Sequence, residues 1–171
     1  MKQTKELGIF QLGIKIMIKI KDKKTIKGRY KITKIENEKI IEETDWINNL
    51  IVCSDGYGLN LIIKNLLGVD GYNLKITQAR MGTDGTAPSD NDNDLKSPAG
   101  NYVEIAIGEE VIPSKISLSF FFTDADLPDG TYKELGLFCG NRLFARSVIS
   151  PSYNKSINQD TRIDYEIEIN N

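Results

Sequence analysis

The sequence predicts a mainly β protein, an antiparallel β-sandwich crossed by one α-helix at about residues 56–67. Three observations carry this. Between Lys115 and Ile149, three successive apolar runs are separated by turn residues, and in the first of them apolar residues recur at every second position. Similar runs fill most of the remaining chain, and only one stretch has helical spacing. A half-buried strand shows period 2, whereas a helix shows period 3.6.

In the first of the three runs Ile116, Leu118, Phe120 and Phe122 alternate with Lys115, Ser117, Ser119 and Phe121. Asp124 to Gly130 is a turn cluster, because Asp, Pro and Gly preset turn dihedrals. Tyr132 to Phe138 and Leu143 to Ile149 follow, joined through Gly140-Asn141, a pair suited to a tight hairpin. Three successive antiparallel strands predict a meander, which needs a second layer to bury its apolar face.

The 171 residues suit one domain, or one domain with an added arm, and such a length buries a core without staples. The division expected is an arm or edge strand at residues 1–24 and a sandwich at 25–171. Twenty-two basic residues against 24 acidic ones give a net charge of −2. That balance argues against nucleic acid as a partner, since phosphate binding needs a basic excess. No apolar run approaches a membrane span, and no secretory leader is expected. The two cysteines, Cys53 and Cys139, have no metal spacing and read as free thiols of a reducing compartment. The chain has no histidine, the commonest general base and zinc ligand. No catalytic residue, metal ligand or cofactor site is therefore expected.

From the N-terminus, Ile14, Ile16, Ile18 and Ile20 alternate with Lys15, Met17, Lys19 and Lys21. This pattern predicts a strand with one lysine-rich face. It reads either as an edge strand protected by its lysines or as an arm pairing with a neighbouring subunit. On the second reading the four isoleucines are the candidate subunit contact. Thr25 to Ile35 and Lys39 to Thr44 form a hairpin about Glu36-Asn37-Glu38. Trp46, the only tryptophan, is expected as an apolar plug under the crossing that follows. Ser54 or Asp55 is the candidate helix cap, and Gly68 the stop. Leu59, Ile62, Ile63, Leu66 and Leu67 form the stripe expected to pack on the sheet.

Tyr72 to Gly82 reads as a strand, and Thr83 to Gly100 as a solvated, mobile polar loop. Within it Asp90-x-Asp92-x-Asp94 resembles the start of a calcium loop, but Leu95 stands where the turn glycine belongs and Asn101 where the closing glutamate belongs. Gly82-Thr83-Asp84-Gly85-Thr86 leads into neither lysine nor helix, so it is no phosphate cradle. Asn101 to Pro113 resumes the sheet, with Val103, Ile105 and Ile107 on one face. Asp160 to Ile169 closes it. Glu42-Glu43 and Glu109-Glu110 do not form acid–base pairs, because neighbours on a strand point to opposite faces. Tyr57, Tyr72, Tyr102, Tyr132 and Tyr153 read as strand-packing residues before they read as sugar platforms.

The order of short motifs carries a resemblance. Trp46-Ile47-Asn48-Asn49-Leu50-Ile51 is followed by Gly58-Leu59-Asn60-Leu61-Ile62, and then by Met81-Gly82-Thr83-Asp84-Gly85-Thr86-Ala87-Pro88-Ser89. Glu134-Leu135-Gly136-Leu137-Phe138 and Leu143-Phe144-Ala145-Arg146 come next, with Pro151, Lys155, Asp160 and Thr161 closing the pattern. In this order the chain, from about Gly28 to Ile169, resembles a class of tailed-bacteriophage virion proteins. The Gly-Leu-Phe element is similar to one in the attachment domains of tail-collar fibres. The resemblance implies a non-enzymatic β-sandwich of the tail, baseplate or fibre-attachment apparatus, made in the host bacterial cytoplasm. Its partners would be other virion proteins and further copies of itself, with no nucleic acid or membrane. A capsid decoration or head-fibre protein, or a carbohydrate-binding module, is the alternative.

Overall fold

A computed structural model describes residues 25–170. The chain forms β1 (Thr25–Glu36), β2 (Lys39–Glu43), β3 (Ile47–Asn48), β4 (Leu50–Ile51), α1 (Leu59–Leu66), β5 (Gln78–Gly82), β6 (Pro98–Ile112), β7 (Lys115–Phe122), β8 (Gly130–Cys139), β9 (Arg142–Lys155) and β10 (Gln159–Asn170). All strand pairings are antiparallel. The protein is therefore mainly β with a single helix among the described residues, curled into a sandwich-like half-barrel.

The strands follow the order β2-β1-β10-β7-β6-β5-β8-β9-β4, with β3 on β1. β6 makes the corner. Its first part pairs with β5, up to Gln78↔Glu104, and its second part pairs with β7 from Ile105↔Phe120 onward. A strand that changes partners in this way lets one sheet fold over and face itself. Tyr30, Ile32, Phe120 and Ile163 from one half pack with Met81, Leu135, Leu137 and Phe144 from the other. The segment from Ile47 to Ile51 bridges the open side, bonding β1 through β3 and β9 through β4. Between them, the Asn49 N–H donates to the Gly28 carbonyl at 3.2 Å.

Period 2 identifies the inward residues well. Leu118, Phe120 and Phe122 are buried, as are Ile163, Tyr165 and Ile167. The meander expected over Lys115–Ile149 does not form. β7 lies between β10 and β6, whereas β8 lies between β5 and β9. Alternation states which face is apolar but not which strand lies alongside. The connection after β7 crosses to the other half, tied down by a bond from the Asp124 N–H to Asp160 Oδ1 at 2.9 Å and by the Lys155–Asp124 ion pair.

The helix is shorter than expected and packs differently. Gly58 is its N-cap, with no side-chain capping bond, so neither Ser54 nor Asp55 caps it. Ser54 Oγ donates to the Asp92 carbonyl, and Asp55 pairs with Lys64. The stop falls where expected: Gly68 N–H bonds Asn65 O and Val69 N–H bonds Lys64 O, the two bonds of a Schellman motif. Leu61 is the buried residue of the helix. Ile63, Leu66 and Leu67 are 52, 79 and 72 % exposed, so the expected stripe is largely uncovered. The strand expected over Tyr72–Gly82 begins only at Gln78. Trp46 is no plug: it lies 39 % exposed, with the Arg29 guanidinium 4.5 Å from its ring centroid.

Candidate interaction surface

Two features stand out, a buried ion network and an open apolar groove. The first holds the scaffold together. Arg146, on β9, is wholly buried. Its Nε donates to Glu134 Oε2 at 2.7 Å, Nη1 to Asp92 Oδ2 at 3.1 Å and Nη2 to Asp84 Oδ1 at 3.4 Å. Glu134, on β8 and equally buried, also accepts the backbone N–H groups of Lys96 and Ser97 at 3.1 and 2.7 Å. Asp92 further accepts the Ser89 N–H and pairs with Lys96 at 2.7 Å. Burial works to raise the Asp92 pKa, but the bonds from Lys96, Ser89 and Arg146 outweigh it and hold the carboxyl below its ordinary value. Asp84 is lowered by its bonds with Thr86 and by the charge of Arg146.

The reading of Thr83–Gly100 as a solvated loop holds for most of its residues, which are exposed, but not for those that meet this network or pack beneath it. Asp92 is 3 % and Leu95 5 % exposed, and the segment is folded onto β8 and β9. Gly82 is required by that close approach: a Cβ there would lie 2.5 Å from Glu134 Oε1 and 2.6 Å from the Ser97 carbonyl. A buried guanidinium surrounded by three carboxylates is compensated where it lies. Among the described residues, no group of three or more acidic or cysteine side chains is placed to hold a metal ion.

The motif segments meet around β9. Leu50 pairs with Arg146, the Gly58 N–H bonds the Leu143 carbonyl at 3.0 Å, and Gly82 pairs with Glu134. Tyr153 and Thr161 share a hydroxyl bond of 2.7 Å. Sequence reasoning singled out these residues as motifs but missed their convergence, since Arg146 and Asp92 are 54 positions apart.

The second feature is a groove of about 370 Å³ at the end of the half-barrel where β1 begins. Ile26 of β1, Ile62 of α1, Leu74 and Ile76 before β5, and Ile112 and Ile116 at the β6–β7 turn are among its walls. Phe144 reaches it from β9, and Ile167 and Ile169 from β10. Glu110, Ser114 and Lys115 are the polar residues on its lining. The helix that supplies Ile62 also exposes Ile63, Leu66 and Leu67, and the β6–β7 hairpin exposes Ile107, Val111 and Ile112. Expected on one face with Val103 and Ile105, Ile107 is instead 64 % exposed, beyond the register shift in β6. An apolar groove with exposed aliphatic side chains on the elements that wall it is a candidate interaction site.

The isoleucines singled out as a subunit contact, Ile14, Ile16, Ile18 and Ile20, lie outside the described residues. The five tyrosines differ in exposure. Tyr132 and Tyr153 are buried. Arg142 sits 4.3 Å from the Tyr72 ring centroid and 5.7 Å from that of Tyr57, and Arg80 sits 4.7 Å from that of Tyr102. Among the described residues no helix is long and apolar enough to cross a membrane. No family model matches the chain, and no curated protein or solved structure matches it.

Proposed function

We propose that the protein is a non-enzymatic structural component of a tailed-phage particle, in the tail, baseplate or fibre-attachment apparatus, acting through contacts between subunits. The observation that carries this reading is the apolar end of the half-barrel, where, among the described residues, the groove walls, α1 and the β6–β7 hairpin expose large aliphatic side chains. Burying such a surface yields about 25 cal/mol per Å² and favours association without any chemistry. The motif residues support the reading differently. Their side chains are spent on one another, as in the Arg146–Glu134–Asp92 network, which suits parts of a scaffold.

The test is location. Gold-labelled antibody against the chain, applied to intact particles, is expected to mark the tail or its baseplate in every particle. Label on the capsid faces would replace the tail assignment by a decoration role. Particles without label, and without the chain by mass spectrometry, would overturn the proposal.

A further inference from the structure

The same sequence holds a segment whose chemistry matches the groove. Residues 1–24 carry seven lysines against Glu6 and Asp22, whereas the remaining residues carry 15 basic and 22 acidic side chains. The chain thus divides into a cationic segment and an anionic domain. The cationic segment places isoleucine at positions 14, 16, 18 and 20, so that an extended backbone would present all four on one side. The groove is lined by isoleucine, leucine and phenylalanine, with Glu110 and Lys115 on its lining, Lys115 paired with Glu166 at 2.8 Å, and Glu109 beside it on β6. Thr25, where β1 starts, adjoins Ile26 on the groove wall.

We propose that the groove receives residues 14–20 of a second copy of this chain, isoleucines inward and lysines on the outer side, the cationic segment being drawn to the anionic domain. A second copy is favoured over the same chain by the linker. Between Ile20 and Thr25 stand Lys21, Asp22, Lys23 and Lys24, of which Asp22 alone is a common turn residue and none is glycine or proline. Ile26 already lies on the wall, so a return to the same groove leaves only those four residues to redirect the chain. An arm that continues outward instead reaches a neighbour. Each copy then gives one segment and receives one, a head-to-tail exchange that closes into a ring or extends as a fibre. This inference rests on the assembly reading above and names the two surfaces that meet.

The test uses the full chain. Sedimentation velocity across a concentration series is expected to show self-association of the parent, weakened about tenfold or more, equivalent to 1.4 kcal/mol, in Ile16→Asp/Ile18→Asp and equally in Ile112→Asp/Ile169→Asp. Ile112 and Ile169 are each about half exposed, so their replacement leaves the core intact. In a Cys53→Ser background, one chain carrying Ile18→Cys and a larger tagged chain carrying Ile112→Cys are expected to form a mixed disulfide on mild oxidation. A single chain carrying both cysteines is expected to link between copies, with a yield that falls on dilution. Intrachain linkage there, or no linkage in the mixture, overturns the exchange. Association unchanged in both aspartate variants also overturns it while leaving the assembly reading standing, and a parent that stays monomeric throughout removes both.

Discussion

The Arg146 guanidinium and the Glu134 carboxylate meet at 2.7 Å with both side chains fully buried, on the adjacent strands β9 and β8. The pair anchors Lys96 and Ser97 through their N–H groups and, through Asp92 and Asp84, the whole segment between β5 and β6.

Removing the cation should therefore be costly. Arg146→Ala leaves Glu134 and Asp92 buried without their partner, and breaking a buried pair costs about 3–5 kcal/mol. Urea titration is the measurement, with hydrogen exchange to show loss of protection across residues 83–97. A loss below about 1 kcal/mol, the range of surface pairs, would show that the segment is held by other contacts.

The same network sets an acid limit on stability. The Asp92 and Asp84 pKa values are lowered in the fold, so the unfolded chain takes up protons first as pH falls. Their stabilisation is complete above the ordinary aspartate value of about 3.9 and is lost as pH drops through the lower folded values. Denaturant midpoints measured from pH 6 to pH 2 should fall, and the gap between the parent and Asp92→Asn should narrow toward the acid end. A gap that is constant with pH would show that the Asp92 carboxylate makes no differential contribution.

The helix separates two residues that look alike in sequence. Leu61 is fully buried and Ile63 is half exposed. Leu61→Ala should cost about 2–5 kcal/mol, whereas Ile63→Ala should stay within about 0.5 kcal/mol for the isolated subunit. Thermal melting of the two variants distinguishes them, and equal destabilisation would mean that the outer face of α1 is covered.

The two thiols should differ in reactivity. Cys53 is exposed, while burial pushes the Cys139 thiol up to about 12 and its Sγ faces the Leu74 carbonyl at 3.4 Å. A disulfide reagent should modify one thiol rapidly in the native protein at neutral pH and the second only after denaturant is added, because the thiolate is the reacting form. Peptide mapping that finds Cys139 labelled first would contradict this geometry.

Local pattern determined much of this protein. The alternation of Leu118, Phe120 and Phe122, and of Ile163, Tyr165 and Ile167, marked the inward faces, and Asn37 and Glu38 do turn β1 into β2, both at positive φ. Such features depend on neighbours two to four residues away, which a sequence displays directly. Tertiary structure decided the rest. It put β7 between β10 and β6, drew Asp92 out of water to reach Arg146, left Trp46 on the surface beside Arg29, and uncovered the outer face of α1. Each of those outcomes turns on whether a remote segment arrives to pair a strand, neutralise a charge or cover an apolar side chain. The energy of those contacts belongs to the pair of segments, so neither segment shows it alone.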